Sequence, residues 1–392
     1  AARLPGFANS HPFQPIVSVQ GNLYIIHQLQ EWLQEISGFH KVCLTPAAGA
    51  QGELVGALII KKYHQLNNDE KRVKILIPDS AHGTNPATSS MSGFRVVSIS
   101  SDARGNVDLD ALKAECDETL AGLMLTNPNT LGLFEENIRQ IADIVHAKGG
   151  LVYGDGANMN AIMGIADMGA IGIDVLHLNL HKTFSSPHGG GGPGSGPVCV
   201  RKHLEPFLPV PRVTHKNGQY LLKEDFPDTI GRLHAFNGNI GVLIRAYSYI
   251  RSMGAEFLKK ASQLAVLNAN YIKEQLKGTF HLAYDRPCMH ECVFSDHLQQ
   301  VHKVTTLDMV KRLMDYGFHP PTIYFPLVVP GAIMIEPTET ESREDIDLFI
   351  DSLKAIAMEA AENPALLHDA PRKCRRRRLD ETAAARKPCL TG

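Results

Sequence analysis

Residues 176–188 read Leu-His-Leu-Asn-Leu-His-Lys-Thr-Phe-Ser-Ser-Pro-His, and residues 189–198 continue Gly-Gly-Gly-Gly-Pro-Gly-Ser-Gly-Pro-Val. An apolar strand predicted over residues 173–180 brings Lys182 to the start of a glycine-rich loop. Removing a lysine ammonium from water is costly unless the amine is paired or neutral. A neutral amine can serve as a nucleophile toward an aldehyde, as in Schiff-base lysines. For a lysine considered alone, the alternative is a structural role. The aliphatic part of the side chain then packs against the protein while the ammonium stays in water.

From residue 40 onward, predicted strands and helices alternate along the chain. Short connections between them require crossovers, which predicts an α/β fold with a mostly parallel sheet covered on both faces. Ligands of such sheets bind beyond the carboxyl ends of the strands. The predicted strands are 73–77, 123–125, 151–153, 174–180, 289–294 and 333–335, and the predicted helices are 23–36, 50–66, 135–147, 240–253, 255–276, 307–316 and 342–359.

The length of 392 residues exceeds one compact core and fits a large domain followed by a smaller one. We predict an N-terminal arm and helix (1–38), a cofactor-binding large domain (39–254), a linking helix with a small C-terminal α/β domain (255–363) and an extended tail (364–392). The tail contains four consecutive arginines at 375–378 without interleaved aromatic residues. This composition favours a solvated or partner-contacting segment over nucleic-acid binding.

The charge balance argues against a nucleic-acid or membrane partner, because 39 basic and 41 acidic residues nearly cancel. No long apolar run or signal-peptide core is present, so we expect a soluble intracellular protein, cytoplasmic if bacterial or in the mitochondrial matrix if eukaryotic. Seven scattered cysteines are typical of a reducing compartment. Cys288, His290 and Cys292 would share one face of a strand, but no second ligand pair follows, and we predict no metal site.

Four segments have the properties that a site for pyridoxal 5'-phosphate needs, beginning with two loops that follow the predicted pattern of strands. Residues 45–53 form a small-residue loop that opens a helix, where backbone N–H groups and the helix dipole suit a phosphate. Alone, this loop is a weak signal. Asp155 leaves a buried strand and needs a cationic partner, which a protonated pyridine nitrogen provides. A helix N-cap explains an isolated aspartate equally well.

Further residues near predicted strand ends complete this hypothesis. Lys182 follows Asp155 after one helical crossover, so both can face one crevice. His82 can stack on the cofactor ring, although a loop histidine is otherwise a surface turn residue. Ala157 is slim enough to lie under the ring, and Asn158 can reach its hydroxyl group. The predicted cofactor-binding residues at this stage are Gly49, Ala50, Gln51, His82, Thr126, Asp155, Ala157, Asn158 and Lys182.

Several of these segments resemble a known family. The relevant stretches are Pro-Asp-Ser-Ala-His-Gly-Thr-Asn-Pro-Ala (78–87), Thr-Asn-Pro-Asn-Thr-Leu-Gly-Leu-Phe-Glu (126–135), Gly-Asp-Gly-Ala-Asn-Met-Asn (154–160) and His-Lys-Thr-Phe (181–184). They resemble fold-type I pyridoxal phosphate enzymes and, more closely, the glycine decarboxylase P-proteins of the glycine cleavage system. The similarity continues through 284–291, 318–326 and 334–342. The length matches subunit 2 of the two-subunit form or the C-terminal half of the single-chain form.

The resemblance implies glycine dehydrogenase (aminomethyl-transferring) activity, in which glycine is decarboxylated and its aminomethyl group passes to the lipoyl arm of H-protein. It implies that Lys182 carries the cofactor, that Asp155 keeps the pyridine nitrogen protonated and that His181 contacts the phosphate. His188 would relay protons near the lipoyl sulfurs, and the glycines at 189–192 would form a mobile loop that admits the arm. The implied catalytic residues are Lys182, Asp155, His82 and His188. The implied partners are glycine, lipoylated H-protein and a partner P-protein subunit or dimer mate.

The chain departs from the family pattern in three places. Relatives carry an upstream Gly-Ser-Cys-Thr-Met-Lys segment, and we expect this chain to begin after it. Ser185 stands where relatives often have cysteine, which weakens any thiol-based redox role. The basic stretch at 371–378 and the last residues also differ from the expected tail.

Two alternatives remain open, and a third is conceivable but fails in context. One is another fold-type I amino-acid decarboxylase or aldolase. Another is a non-catalytic partner subunit, although the presence of both Asp155 and Lys182 argues against it. A third is a nicotinamide enzyme, because Gly189-x-Gly191-x-x-Gly194 matches the dinucleotide pattern. The predicted extended segment at 197–200 follows that pattern where a helix is required, so the match fails in context.

Overall fold

The computed structural model describes residues 1–186, 188 and 191–391. The chain forms two compact units, residues 1–265 and 266 onward, each with its own hydrophobic core. Within the described residues, no helix combines the length and apolar character needed to cross a bilayer.

The first unit is built on a seven-stranded sheet with the order β1-β7-β6-β5-β4-β2-β3. The neighbours from β6 to β3 run parallel, while β7 runs antiparallel to both β1 and β6. The predicted α/β fold with a mostly parallel sheet is therefore confirmed. Its elements are β1 (Lys41–Cys43), β2 (Lys74–Pro78), β3 (Arg95–Ile99), β4 (Leu120–Thr126), β5 (Leu151–Gly156), β6 (Val175–Leu178), β7 (Val198–Val200), a hairpin of β8 (Arg212–Lys216) and β9 (Gln219–Lys223), α1 (Gln20–Ser37), α2 (Gly49–Leu66), α3 (Thr84–Met91), α4 (Leu109–Glu115), α5 (Ile138–Ala147), α6 (Leu180–Thr183) and the first part of α7 (Ile240–Leu276), whose last residues belong to the second unit.

Helix α2 packs unusually close to the sheet. It buries Val55, Ile59 and Ile60 among the apolar residues of the strands. Gly56 makes the approach possible, because a Cβ at this position would lie 2.1 Å from Cε2 of the fully buried Tyr153. The close packing sets the N-terminus of α2 beside the carboxyl ends of the neighbouring strands.

The second unit contains a four-stranded antiparallel sheet with the order β10-β11-β13-β12. Helices with apolar stripes pack on it, and Thr305 and Asp308 form a reciprocal capping box at the start of α8. The elements are β10 (His281–Leu282), β11 (Cys292–Ser295), β12 (Thr322–Ile323), β13 (Ala332–Ile335), α8 (Thr306–Asp315), α9 (Arg343–Glu362), α10 (Ala365–His368) and α11 (Glu381–Arg386).

The structure changes the predicted environment of Lys182. The strand predicted over 174–180 ends at Leu178, and Lys182 lies in the short helix α6 instead of at a strand end. The reason is local, since the N–H groups of Lys182 and Thr183 both bond to the carbonyl of Asn179 and turn the chain into a helix. Lys182 is exposed, so the predicted cost of burying its ammonium does not apply.

The predicted domain boundary at residue 254 falls inside α7, where Gly254 breaks the helix with φ 67°. The two units divide later, after residue 265, because the helix beyond Gly254 still packs in the first unit. There the hydroxyl of Ser262 accepts a hydrogen bond of 3.0 Å from the N–H of Met163.

The segment predicted as an extended tail is partly folded. It contains α10 and α11, and the guanidinium of Arg378 donates to Asp308 Oδ1 over 2.6 Å and to the Ala370 carbonyl over 2.8 Å. Asp308 is buried, and a buried carboxylate needs a cation beside it. The run of four arginines in the sequence did not indicate that one of them would supply this cation.

Candidate cofactor site

The ends of three neighbouring strands bring the central residues of the candidate site together. In the parallel register, Thr126 at the end of β4 lies opposite Asp155 on β5, and Asp155 lies opposite His177 on β6. All three side chains are buried, with relative exposures of 7%, 3% and 1%. The carboxyl ends of parallel strands are where ligands bind in this type of sheet.

Asp155 is fixed by two contacts to the same oxygen. Its Oδ1 accepts a hydrogen bond of 3.0 Å from the Ala157 N–H and lies 3.3 Å from His177 Nε2. The other imidazole nitrogen of His177, Nδ1, lies 2.7 Å from the hydroxyl of Tyr153. Burial lowers the pKa of His177 and raises the pKa of Tyr153 well above its ordinary value. A neutral His177 that accepts from Tyr153 at Nδ1 carries its proton on Nε2, the nitrogen that lies against Asp155.

Glu53 is a functional residue that the sequence reasoning did not single out. Its carboxylate is 3% exposed and accepts hydrogen bonds from Thr84 Oγ1 at 2.7 Å and Thr88 Oγ1 at 3.2 Å. Burial raises its pKa to about 7, and the charge of Asp155 adds to this shift, while the hydrogen bonds and the charge of Lys182 oppose it. The sequence feature that could have identified Glu53 is its position in α2. It lies one residue after Gly52 and three before Gly56, on the helix face that meets the sheet.

Glu53, Asp155 and His177 form a cluster in which one ligand atom from each lies within 4.8 Å of the others. Both nitrogens of His177 are engaged with protein groups, and Glu53 is held by two hydroxyls. This donor set is therefore committed to hydrogen bonds within the protein.

The predicted grouping of Cys288, His290 and Cys292 does not match the arrangement in the second unit. Among the described residues there, the clustered ligand atoms belong to His290, Glu291 and Glu336. Burial raises the pKa of Cys288 to about 12 and raises that of Cys292 as well, so both stay protonated thiols.

The loop predicted to hold a phosphate forms the N-terminus of α2. Ala48 is extended and Gly49 is the first helical residue. The Gln51 side-chain oxygen accepts from the Ala47 N–H over 2.7 Å, so Gln51 can offer a ligand its backbone N–H but not this oxygen. The first N–H groups of a helix have no acceptor within it, which leaves those of Gly49, Ala50 and Gln51 available for an anion.

A second loop lies directly against this helix start. A Cβ at Gly196 would lie 2.0 Å from the carbonyl oxygen of Ala48, so glycine is required at this approach. The Asn239 amide also ties the loops together, since it donates to the Gly194 carbonyl over 2.8 Å and to the Ala47 carbonyl over 3.3 Å. These contacts hold the segment after Lys182 beside the predicted phosphate site.

His181 lies between Lys182 and this loop. Its Nδ1 accepts a hydrogen bond of 3.1 Å from the Ser195 N–H, and its ring meets that of His188 edge-on with centroids 4.7 Å apart. Burial, together with the charges of His188 and Lys182, lowers the pKa of His181 to about 4. The imidazole is therefore neutral with its proton on Nε2. The loop predicted at 189–192 includes Gly189 and Gly190, which lie outside the described residues.

The remaining predicted residues have mixed environments. His82 is exposed, and its Nδ1 lies 2.9 Å from Thr84 Oγ1, so it connects with Glu53 through that hydroxyl. Asn158 is half-buried and its amide nitrogen donates to the Pro128 carbonyl over 2.9 Å, which leaves its oxygen for a ligand.

The residues present fit pyridoxal 5'-phosphate. The buried Thr126 hydroxyl has no hydrogen-bond partner among the described residues, although its strand neighbour is Asp155. A buried carboxylate, an exposed amine and a free helix N-terminus match the pyridinium, aldehyde and phosphate of this cofactor in charge and chemistry.

Comparisons with known proteins agree on one family. The family described as Aminotransferase class-V matches residues 52–276, and Glycine dehydrogenase, C-terminal domain, matches residues 261–370. A protein of Caldanaerobacter subterraneus subsp. tengcongensis named probable glycine dehydrogenase (decarboxylating) subunit 2 is 59% identical over 389 residues, covering 99% of this chain and 80% of the relative. A protein of the same name from Listeria welshimeri is 55% identical with the same coverage.

Solved structures show the same fold. A crystal structure of glycine decarboxylase (P-protein) in inhibitor-bound form has a TM-score of 0.76 at 20% identity, over 91% of this chain and 80% of the other. A NifS-like protein has a TM-score of 0.68 at 17% identity, over 91% of this chain and 93% of the other. The expected family resemblance is confirmed by the sequence relatives and the expected fold type by these structures.

Proposed function

The chain belongs to the family of glycine dehydrogenase (decarboxylating) subunit 2, and we propose that it uses pyridoxal 5'-phosphate to decarboxylate glycine and deliver the aminomethyl group to a lipoylated H-protein. The observation that carries this proposal is the buried Asp155 carboxylate beside a free helix N-terminus and the short helix α6 that bears Lys182. Relatives named as glycine dehydrogenase subunit 2 at 55–59% identity support it.

The proposed reaction breaks the bond between the Cα and the carboxylate of glycine and releases carbon dioxide. The Cα then bonds to one sulfur of the oxidised lipoyl group, and the electron pair of the broken bond reduces the disulfide. The second sulfur leaves as a thiolate and takes up a proton. The bound cofactor supplies a ring that accepts the electron pair of the breaking bond.

Asp155 has the role of keeping a proton on the pyridine nitrogen. A buried carboxylate is stabilised by a cation in contact with it, and the carboxylate in turn stabilises the protonated, positively charged form of its partner. Thr126 and Ala157 border this position on the neighbouring strand and on the following turn. Ala157 leaves room for a flat ring, and His82 is proposed to cover the other face.

The start of α2 binds the phosphate in this proposal. The N–H groups of Gly49, Ala50 and Gln51 supply hydrogen bonds, and the helix dipole adds positive potential. A neutral His181 presents its Nε2–H as a further donor. His181 can therefore bind a dianion without requiring a charge of its own.

Lys182 supplies the amine that binds the cofactor aldehyde. Exposure of its side chain makes the amine accessible to the cofactor and later to substrate. His188 adjoins His181 and is proposed to move protons near the lipoyl sulfurs. The partner subunit implied by the name subunit 2 is proposed to complete the working enzyme.

The test of this function has two parts. Protein incubated with pyridoxal 5'-phosphate and reduced with borohydride is digested, and mass spectrometry locates the attached group. We expect the reduced cofactor on Lys182 in the wild-type protein. The Lys182→Ala variant should carry no attached cofactor, and the Lys202→Ala variant should carry as much on Lys182 as the wild type. Attachment elsewhere in the wild-type protein would contradict the assignment.

The second part measures exchange of labelled carbon dioxide into glycine with and without lipoylated H-protein, in the presence of the partner subunit. Exchange that requires the lipoyl group supports glycine decarboxylation. Decarboxylation independent of the lipoyl group would instead favour another fold-type I decarboxylase. Cofactor binding without any exchange would favour a non-catalytic subunit.

A further inference from the structure

We propose that Tyr153 and His177 are positioning residues that orient the Asp155 carboxylate and hold its negative charge at the cofactor ring nitrogen. This inference rests on the proposed function, because it assigns Asp155 to the pyridine nitrogen. It adds two buried residues on β5 and β6 that neither contact the phosphate nor carry the reacting amine.

The three side chains form one line of polar groups in contact with one another. The Tyr153 hydroxyl lies 2.7 Å from His177 Nδ1, and His177 Nε2 lies 3.3 Å from Asp155 Oδ1. Tyr153 and His177 are 0% and 1% exposed, so water does not compete for these contacts. Their positions follow from the fold, since Tyr153 and Asp155 are two residues apart on one strand face and Asp155 pairs with His177 in register.

Tyr153 and Asp155 together define which nitrogen of His177 carries the proton, because the Asp155 carboxylate only accepts hydrogen bonds. A phenol that is fully buried keeps its proton and donates it, which makes Nδ1 the acceptor and Nε2 the donor. The opposite tautomer would direct a lone pair of Nε2 at the Asp155 carboxylate. Without the Tyr153 hydroxyl, Nδ1 would lose its donor, and the imidazole ring would lose a contact that fixes its orientation toward Asp155.

His177 decides which oxygen of Asp155 is available. His177 and the Ala157 N–H both contact Oδ1, which leaves Oδ2 for a cation. The other charged groups around the line are Glu53, whose ligand atom lies within 4.8 Å of those of Asp155 and His177, and Lys182, whose charge acts on both Glu53 and His177. A fixed, hydrogen-bonded Asp155 can hold a ring proton despite the positive charge of Lys182 nearby.

The experiment compares cofactor binding and ring protonation in four full-length variants. His177→Leu removes both contacts of the imidazole, His177→Gln can replace both with its amide, and Tyr153→Phe removes only the hydrogen bond to Nδ1. His64→Gln is the matched control, because His64 is also buried in the first unit but bonds to the Ala121 carbonyl. Apo-protein is titrated with pyridoxal 5'-phosphate, and the ring nitrogen is observed by NMR with ¹⁵N-labelled cofactor.

We expect His177→Leu to weaken cofactor binding by about tenfold or more and to shift the ¹⁵N resonance toward the unprotonated position. Tyr153→Phe should give an intermediate loss, while His177→Gln and the control should stay within about threefold of wild type. If His177→Leu fails to fold, Tyr153→Phe and His177→Gln still separate the outcomes. Of these two variants, only Tyr153→Phe should move the ¹⁵N resonance.

The positioning role is overturned if wild-type protein binds the cofactor and folded His177→Leu or Tyr153→Phe binds it equally, with an unchanged ¹⁵N resonance. It is also overturned if His177→Gln loses as much as His177→Leu, which is the pattern of a purely structural role. Failure of the wild-type protein itself to bind pyridoxal 5'-phosphate would instead overturn the proposed function and this inference together.

Discussion

The Thr84 hydroxyl donates a hydrogen bond of 2.7 Å to the Glu53 carboxyl, and it connects the start of helix α3 with helix α2 at the candidate site. His82 lies on the other side of the same hydroxyl, with Nδ1 2.9 Å away. Through Thr84, an exposed histidine and a buried carboxyl therefore share one network. Burial raises the pKa of Glu53 to about 7, so this network responds to pH near neutrality.

Replacing Glu53 with glutamine should flatten the pH dependence of stability. Burial raises the Glu53 pKa from 4.5 to about 7 in the folded protein, so the folded state holds this proton more tightly than the unfolded state. The proton on Glu53 therefore stabilises the fold fully below pH 4.5. This stabilisation, about 3 kcal/mol, is lost as the pH rises from 4.5 to 7 and is absent above that range. The measurement is the free energy of unfolding in urea at pH 5.5 and pH 8.5.

The control for this prediction is Glu35→Gln, because Glu35 is exposed on α1. Wild type and the control should lose stability between the two pH values, and Glu53→Gln should lose less by about 1–3 kcal/mol. An equal loss in all three proteins would mean that Glu53 is ionised throughout. Asp155, His177 and Lys182 surround Glu53 and are unchanged in these variants.

Gly196→Ala should disturb the predicted phosphate site. The added methyl group would lie 2.0 Å from the Ala48 carbonyl oxygen, and since both groups belong to loop backbones, the loops must separate. We expect a loss of about 1–3 kcal/mol in stability and a weaker affinity for pyridoxal 5'-phosphate by about tenfold. Gly241→Ala in α7 is the control, since no atom lies within 4 Å of its Cβ. Unaltered cofactor binding in Gly196→Ala would argue against a phosphate at the start of α2.

His181 should stay neutral across the physiological range. Its pKa is lowered to about 4 by burial and by the charges of His188 and Lys182, and its Nδ1 accepts from Ser195. NMR of ¹⁵N-labelled protein should show the Nε2–H tautomer from pH 5 to pH 8 without a titration step. The signal is assigned by its loss in His181→Asn. A midpoint near pH 6.5 would contradict this prediction.

Arg378→Ala should destabilise the second unit. The guanidinium of Arg378 contacts buried Asp308 and the carbonyls of Leu367 and Ala370. Burial alone would raise the pKa of Asp308, but hydrogen bonds from Thr305 and Arg378 more than offset this and lower it. Loss of the guanidinium should cost about 1–3 kcal/mol in urea unfolding at neutral pH. Arg376→Ala, at an exposed position two residues earlier, should change stability by less than about 0.5 kcal/mol.

Much of the architecture was accessible from local patterns. The apolar strands and the helices between them were predicted because a parallel sheet requires buried strands and crossovers, and the structure has both. Helix α2 was predicted within one residue at its start, since small residues at Gly49 and Ala50 lead into an apolar stripe. The short strands β1 and β7 were less accessible, because a three-residue strand has no periodicity to read.

The candidate site was predictable in its loops but not in its interior. Asp155 stands out because a carboxylate at the end of an apolar strand is expensive to bury without a purpose. Tyr153 and His177 look like ordinary strand residues until the register sets them around Asp155. Lys182 was predicted at a strand end, and hydrogen bonds to the Asn179 carbonyl turned that segment into α6 instead.

The amino-acid sequence by itself determined the family, the alternation of strands and helices, and which loops carry an amine, an acid and an anion-binding helix start. These properties depend on residue type and spacing along the chain. Only the tertiary structure decided that Glu53, Asp155 and His177 cluster, and that the Tyr153 hydroxyl contacts His177 beside them. Such contacts depend on strand order and register, because they join side chains that are distant in sequence and that no local pattern relates.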